Sequence, residues 1–274
     1  MSENKLDLSK SLPGPGRSAV SLDSSDRIPS AVDLFGIQFI CCNCEDAAKS
    51  IAKAIVHPRA TPLLLIHVNA HTLRSISSSN ELRENLRARA WVLLEGIGLK
   101  AACLLAKGRT PADTNGTDLF PALLNRLRSI PCRLFLLGSG PNVGALAKQK
   151  IEEGWPHVEI VGWRDGFFSN EELPAIRDQV SRASPTLLLI GMGSPKQEAF
   201  ALEFLKIPNL QLVWAVGGLF DRLSGRIARA PPLMLMLRLE WLFRIFVEPR
   251  RLALRYLSDA LWLAKSCVYE LLNR

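Results

Sequence analysis

The stretch Leu187–Phe200, LLLIGMGSPKQEAF, passes from four aliphatic residues into a glycine-rich turn and then into a polar segment able to form a helix. A short aliphatic run bounded by glycine reads as a buried strand, and Pro195 is placed to open the helix that follows. A phosphate-binding loop would occupy such a tip, because the N–H groups of a helix start attract anions. The nucleotide P-loop, however, has the form G-x-x-x-x-G-K-[ST], whereas here Lys196 follows G-x-G-S-P, so this turn is a different device.

The same alternation recurs along the chain. LFGIQFI, PLLLIHVN, AWVLLEG, CRLFLLGSG, HVEIVGW, TLLLIGMG and LVWAVGG read as strands, separated by amphipathic segments at 45–56, 79–89, 119–128, 143–153, 171–181 and 195–205. This pattern predicts an α/β fold with a Rossmann-like, mainly parallel sheet flanked by helices. Ligands of open α/β sheets gather beyond the C-terminal strand ends. That rule selects Asn69, Glu95, the loop 138–144, the loop 191–198 and the segment 217–221.

With 274 residues, 48% of them hydrophobic, the chain has ample material for a core. Three parts are expected: a disordered, Ser/Pro/Gly-rich lead-in over 1–30, an α/β domain over 31–230, and a helical, Arg-rich appendage over 231–274. The lead-in lacks the apolar region of a secretory signal, which points to the cytoplasm. Of the net charge of +8, most lies in one segment: Arg222 to Arg255 holds eight Arg, two Glu and no Lys, a local +6. Such a segment suits nucleic acid, a membrane surface or a phosphate-bearing substrate. Its Leu-, Trp- and Phe-rich companions favour a membrane interface. The run 233–247 falls short of the roughly 20 residues a spanning helix needs and is broken by Arg238, Glu240 and Arg244. The plain alternative is a helical pair packed on the sheet or on another subunit.

The cluster Cys41, Cys42 and Cys44 lacks C-x-x-C spacing and a second ligand pair, and reads as small apolar thiols in a reducing compartment. His67 and His71 straddle a strand end without an obvious third ligand, and no D-x-D stands at a strand tip, so neither a metal nor another cofactor is expected. LFLLGSGPNVG resembles a dinucleotide loop, but its G-x-G-x-x-x-G spacing is one residue too long, and Trp163 stands where a ribose-binding acid belongs. Glu95 in EGIG is either a general base at a strand tip or a helix-capping acid. Thr117 and Asp118 in NGTDLFPAL are either ligand groups or an N-cap and first-turn acid just before a helix.

Taken in order, HVNAHTL, EGIG, NGTDL, LFLLGSGPNVG, IVGWRDGFF, GMGSPKQE, AVGGLFDRLSGRIARAPP and LEWLFRIFVEPRRLALRY resemble the WecG/TagA/CpsF family of bacterial glycosyltransferases, glycosyltransferase family 26, from about Val32 to Leu272. The resemblance implies an inverting hexosyltransferase, of N-acetylmannosaminyltransferase-like type. It would move a sugar from a UDP-sugar donor to a polyprenyl-diphosphate-linked sugar acceptor, peripherally on the inner face of the cytoplasmic membrane, in polysaccharide biosynthesis. It implies neither a nucleic-acid partner nor a cofactor, and allows a homo-oligomer.

Glu95 corresponds to the family's Asp base in D-G-x-G. Asn69 matches the Asn of T-x-N, whose Thr is replaced by His67. Thr117, Asp118, Gly138, Gly140, Gln197, Gly217 and Asp221 are the expected substrate contacts, with Gln197 ahead of Lys196 and Glu198. Arg238, Arg244, Arg251 and Arg255 are expected to meet the diphosphate. A nucleotide-sugar-binding module without catalysis and an NAD(P)-dependent oxidoreductase are the competing readings.

Overall fold

The computed structural model describes residues 30–57, 59–237 and 239–273. The expected lead-in therefore lies, apart from Ser30, outside the described residues, as do Arg238 and the side chain of Arg251.

The chain opens with β1 (Ala31–Leu34) and β2 (Ile37–Ile40), followed by α1 (Cys44–Val56), β3 (Leu63–Val68), α2 (Ala70–Ser77), α3 (Asn80–Arg89), β4 (Ala90–Leu94) and α4 (Ile97–Lys107). Next come α5 (Gly116–Arg126), β5 (Cys132–Gly138), α6 (Pro141–Gly154), β6 (Val158–Arg164), α7 (Leu173–Ala183), β7 (Leu187–Gly191), α8 (Lys196–Glu203) and β8 (Leu212–Ala215). The final helices are α9 (Leu219–Leu223), α10 (Pro232–Met236), α11 (Glu240–Val247) and α12 (Pro249–Leu272). One eight-stranded sheet runs in the order β1-β2-β4-β3-β8-β7-β5-β6. Every pairing is parallel except β1 with β2.

That exception corrects the reading of LFGIQFI as one strand. Phe35 and Gly36 both have positive φ, 52° and 78°, which closes a two-residue hairpin and pairs Leu34 with Ile37. A second correction concerns α5. It begins three residues before the expected start, because Asn115 rather than Thr117 is its cap, accepting a hydrogen bond from Asp118 N at 2.9 Å.

The central strands read as unbroken aliphatic runs because both faces of the sheet are covered. Neighbouring residues point to opposite faces. Leu64, Ile66, Val68, Leu188, Ile190 and Val213 therefore enter the core beneath α2, α3, α4, α7 and α8. Leu63, Leu65, Leu187, Leu189, Leu212 and Trp214 enter the other core, beneath α1, α5, α6 and α9. Truncating any of these leucines to alanine leaves a cavity costing about 2–5 kcal/mol.

The C-terminal segment docks onto this body. α12 packs on α2 and α4, and its Leu252, Leu263 and Cys267 are buried. Buried Asp259 lies 3.2 Å from both His71 Nδ1 and Arg74 Nη1, while Lys107 of α4 pairs with Glu270. Among the described residues, no helix is long and apolar enough to cross a membrane.

Candidate active site

Chain connections leave β3 toward one edge of the sheet and β5 toward the other, so a crevice opens above β3, β8 and β7. A cavity of about 1930 Å³ fills it, lined by the tips of β3, β4, β5, β7 and β8 and roofed by α10, α11 and α12. Its volume is about twice the upper end for a single small-molecule pocket, room enough for two substrates. His67, Asn69, Glu95, Thr117, Asp118, Gly140, Gln197, Gly217, Asp221, Arg244 and Arg255 all line it. Gly138 does not: its φ is +126°, and an added Cβ would stand 2.3 Å from Gly191 O, so it is glycine to let two strand tips meet.

Glu95 directly follows β4, its N–H donating to Val68 O at 2.9 Å. Desolvation is the largest cause pushing its carboxyl up to about 7, and the neighbouring Asp113 adds to it; Arg222 and Arg244 pull the other way. A carboxyl poised near neutrality is suited to proton transfer. Asp113 also lines the cavity and accepts the Gly96 N–H at 3.1 Å, fastening the turn that carries Glu95. Sequence reasoning missed Asp113, since RTPADTNG carries no period or spacing that singles it out.

His67 is buried on the face beneath α5. Its Nδ1 lies 2.7 Å from Thr114 O, and since a carbonyl only accepts, Nδ1 carries the hydrogen and Nε2 is a lone-pair acceptor. Burial holds the ring neutral, lowering its pKa to about 4 despite that bond. Nε2 is buried without a hydrogen-bond partner, close to where Gly116 leaves room. Asn69 caps α2, its Oδ1 accepting from Thr72 N at 3.0 Å, which leaves the amide nitrogen as the group with hydrogens to offer a ligand.

The loop between β7 and α8 is arranged differently from the expectation. Gln197 is only 3% exposed. Its Oε1 accepts from Gly193 N at 3.2 Å and Gly217 N at 3.1 Å, and its Nε2 donates to Glu198 Oε1 at 2.8 Å. It thus staples the tips of β7 and β8 before it can meet a ligand. Glu198 is wholly buried, accepts from Ser194 Oγ at 2.8 Å, and has its proton affinity raised by desolvation. Lys196 lines the cavity, donates to Gly166 O at 3.1 Å and stands 4.9 Å over the Phe168 ring.

Asp118 is occupied by Arg229 and by Asn115 Nδ2 at 2.7 Å. Asp221 lies 3.5 Å from both Ser139 Oγ and Arg226 Nη1. The glycine loop needs no dinucleotide to explain it, because a Cβ at Gly144 would stand 2.7 Å from the Trp163 ring: this glycine lets α6 pack on β6. Cys42 and Cys44 have thiols pushed up to about 11, chiefly by burial, which leaves them unreactive near neutral pH.

The roof is the cationic side. Arg222, a residue the sequence reading left out of the site, pairs with Glu240. Arg244 and Arg255 present guanidinium groups to the cavity, and the Nε of each is buried without a hydrogen-bond partner. Both side chains line the cavity that also holds Glu95. Their chemistry fits an anion with several oxygens, such as a diphosphate.

The sequence model of the glycosyl transferases of the WecG/TagA/CpsF family matches residues 32–274, which takes in the sheet from the second residue of β1 onward, the strand-tip groups and the roof helices alike. A carboxyl suited to proton transfer and guanidinium groups lining one cavity accord with that match, and the chain belongs to the WecG/TagA/CpsF family of glycosyltransferases, which act in cell-surface polysaccharide synthesis.

Proposed function

We propose that this protein is an inverting glycosyltransferase that moves a hexosyl group from a UDP-sugar to a sugar carried on polyprenyl diphosphate. The observation that carries the reading is the placing of Glu95 and the two guanidiniums with unpartnered Nε atoms, Arg244 and Arg255, around one cavity. The Glu95 carboxylate takes the proton of the acceptor hydroxyl as that oxygen attacks the anomeric carbon of the donor. The bond from that carbon to the diphosphate breaks, and its electron pair leaves on the UDP oxygen. Arg244 and Arg255 hold the developing charge, a task for which a planar, always-charged guanidinium is better suited than an ammonium. Gln197 acts through the glycine loops it fastens, setting where the donor lies.

The roof supports a placement on the inner face of the cytoplasmic membrane. Leu233, Met236, Leu237, Phe246 and Val247 are exposed on or beside α10 and α11, and Arg250 is exposed at the start of α12. Apolar side chains beside cations suit the boundary between acyl chains and phosphate head groups.

The test is transfer of radiolabel from a panel of UDP-sugars to polyprenyl-diphosphate-linked sugars, read in the lipid fraction. Label in that fraction with one donor is the expected result. UDP binding without transfer from any donor would make the protein a binding module, and thermal stabilisation by NAD(P) instead of UDP would make it an oxidoreductase.

A further inference from the structure

The cavity does not end at the charged groups. Beyond Glu95 and Arg255 it continues as a trough between α4 and α12, and the side chains that line it change character. From α4 come Ile97, Ala101 and Leu105, spaced four residues apart on one helix face; Ile97 is 48% and Leu105 69% exposed. From α12 come Ala260, Ala264, Val268 and Leu271, again one stripe, all exposed. Past Asp259 no charged residue lines this part among the described residues: Lys100 and Lys265 point elsewhere, and Lys107 is occupied by Glu270. From Ala260 to Leu271 the trough is about 16 Å long at 1.5 Å per residue. Small residues at its head, Gly98, Ala101, Ala260 and Ala264, keep it open where it meets the reaction centre.

A reaction centre that opens into an exposed hydrocarbon-lined trough is complementary to a substrate that carries its reacting sugar on a hydrocarbon chain. We infer that the α4/α12 trough binds the first part of the hydrocarbon chain of the acceptor lipid, so that the acceptor is recognised by its chain as well as by its sugar and diphosphate. This rests on the glycosyl-transfer reading and adds a second binding site to it. The trough also has an exit. Leu272, next to Leu271 at its far end, is 80% exposed, so a chain leaving the trough passes over an apolar helix end. Exposed apolar residues that are continuous with a polar reaction centre are accounted for by such a ligand.

The experiment compares two acceptors with the same sugar diphosphate head, one on a farnesyl and one on a dimethylallyl chain, in detergent-free buffer with the full chain. The wild type is expected to prefer the farnesyl acceptor at least tenfold in kcat/KM, through KM. Ala264→Trp, which fills the trough, should reduce that ratio at least tenfold. Lys265→Trp, one residue on but outside the cavity, should leave the ratio as it was. Binding of dansyl-labelled farnesyl diphosphate, followed by fluorescence, should weaken in parallel in Ala264→Trp.

Equal use of both acceptors by the wild type would overturn the trough while leaving glycosyl transfer standing. No transfer to either acceptor, with tight farnesyl-probe binding that Ala264→Trp abolishes, would overturn the transfer reading and leave the trough standing. A dimer by light scattering that Ala264→Trp dissociates, with the acceptor ratio unchanged, would assign the trough to a second copy of the chain and overturn the proposal.

Discussion

The floor and the roof of the cavity follow opposite rules. On the floor, at the tips of β3, β7 and β8, Asn69 caps a helix, Asp118 holds Arg229 and Asn115, and Gln197 ties two glycine loops together. On the roof, Arg244 and Arg255 keep buried Nε donors without partners, and large apolar side chains stand in the open. A floor whose polar atoms bond to one another is rigid before any ligand arrives, and such preorganisation lowers the cost of orienting a donor. Glu95 belongs to both, standing on a strand tip yet tuned by Asp113 from below and by Arg222 and Arg244 from above.

The sharpest way to break this division is Glu95→Gln. If Glu95 is the base, transfer should fall by roughly 10²–10⁴-fold while UDP binding, followed by calorimetry, stays within a few-fold. The same variant has a stability signature. The Glu95 carboxyl has its pKa raised from 4.5 to about 7 by folding, so its contribution is fully present below pH 4.5 and is lost as pH rises through about 7. Removing the ionisable group should therefore raise Tm at about pH 8, by up to about 3 kcal/mol of stability, and leave it unchanged near pH 4. In the wild type, transfer should rise with pH through about 7 as the carboxyl ionises.

Next in size are the roof arginines. Arg244→Ala should lower kcat/KM by about 10²-fold, the scale of losing one donor to a developing negative charge, and Arg244→Lys should restore only part of it. Because Arg244 sits on α11, a helix with no buried residue, circular dichroism and Tm should scarcely move. Gln197→Ala should do the reverse. With two glycine N–H groups deprived of their acceptor, stability should drop by about 1–3 kcal/mol in urea unfolding, and donor KM should rise with it. An unchanged Tm in Gln197→Ala would place Gln197 with the ligand-facing groups. The smallest effect is expected from Asp113→Asn, which keeps an acceptor for Gly96 N–H but removes a charge that raises the Glu95 pKa. Its rising pH limb should move to lower pH, and an unmoved limb would sever Asp113 from Glu95.

Much of the molecule was legible before folding was considered. Aliphatic runs located the central parallel strands, since a strand buried on both faces must be apolar along its whole length. LFGIQFI misled because a two-residue turn at Phe35 and Gly36 leaves no break in the apolar run. The start of α5 misled because Asn115, Thr117 and Asp118 are all residue types that cap helices, and only the bond from Asp118 N to Asn115 chooses among them. The α4/α12 trough was invisible for a related reason: Ala101 and Ala264 are unremarkable on their own helices and become a surface only when those helices meet.

By itself, then, the sequence determined the α/β layering, the strand tips where chemistry gathers, the family, and the arginine-rich, apolar character of the last helices. Each depends on residue types repeated at a short period or set in order along the chain. Only the tertiary structure decided which polar groups at those tips are already bonded within the chain. Gln197, Asp118, Arg244 and Arg255 all looked like ligand contacts, and the difference between them lies in whether another part of the chain already supplies the partner. That is a matter of distance between segments far apart in sequence, such as Gln197 with Gly217 or Asp118 with Arg229, and residue spacing carries no record of it.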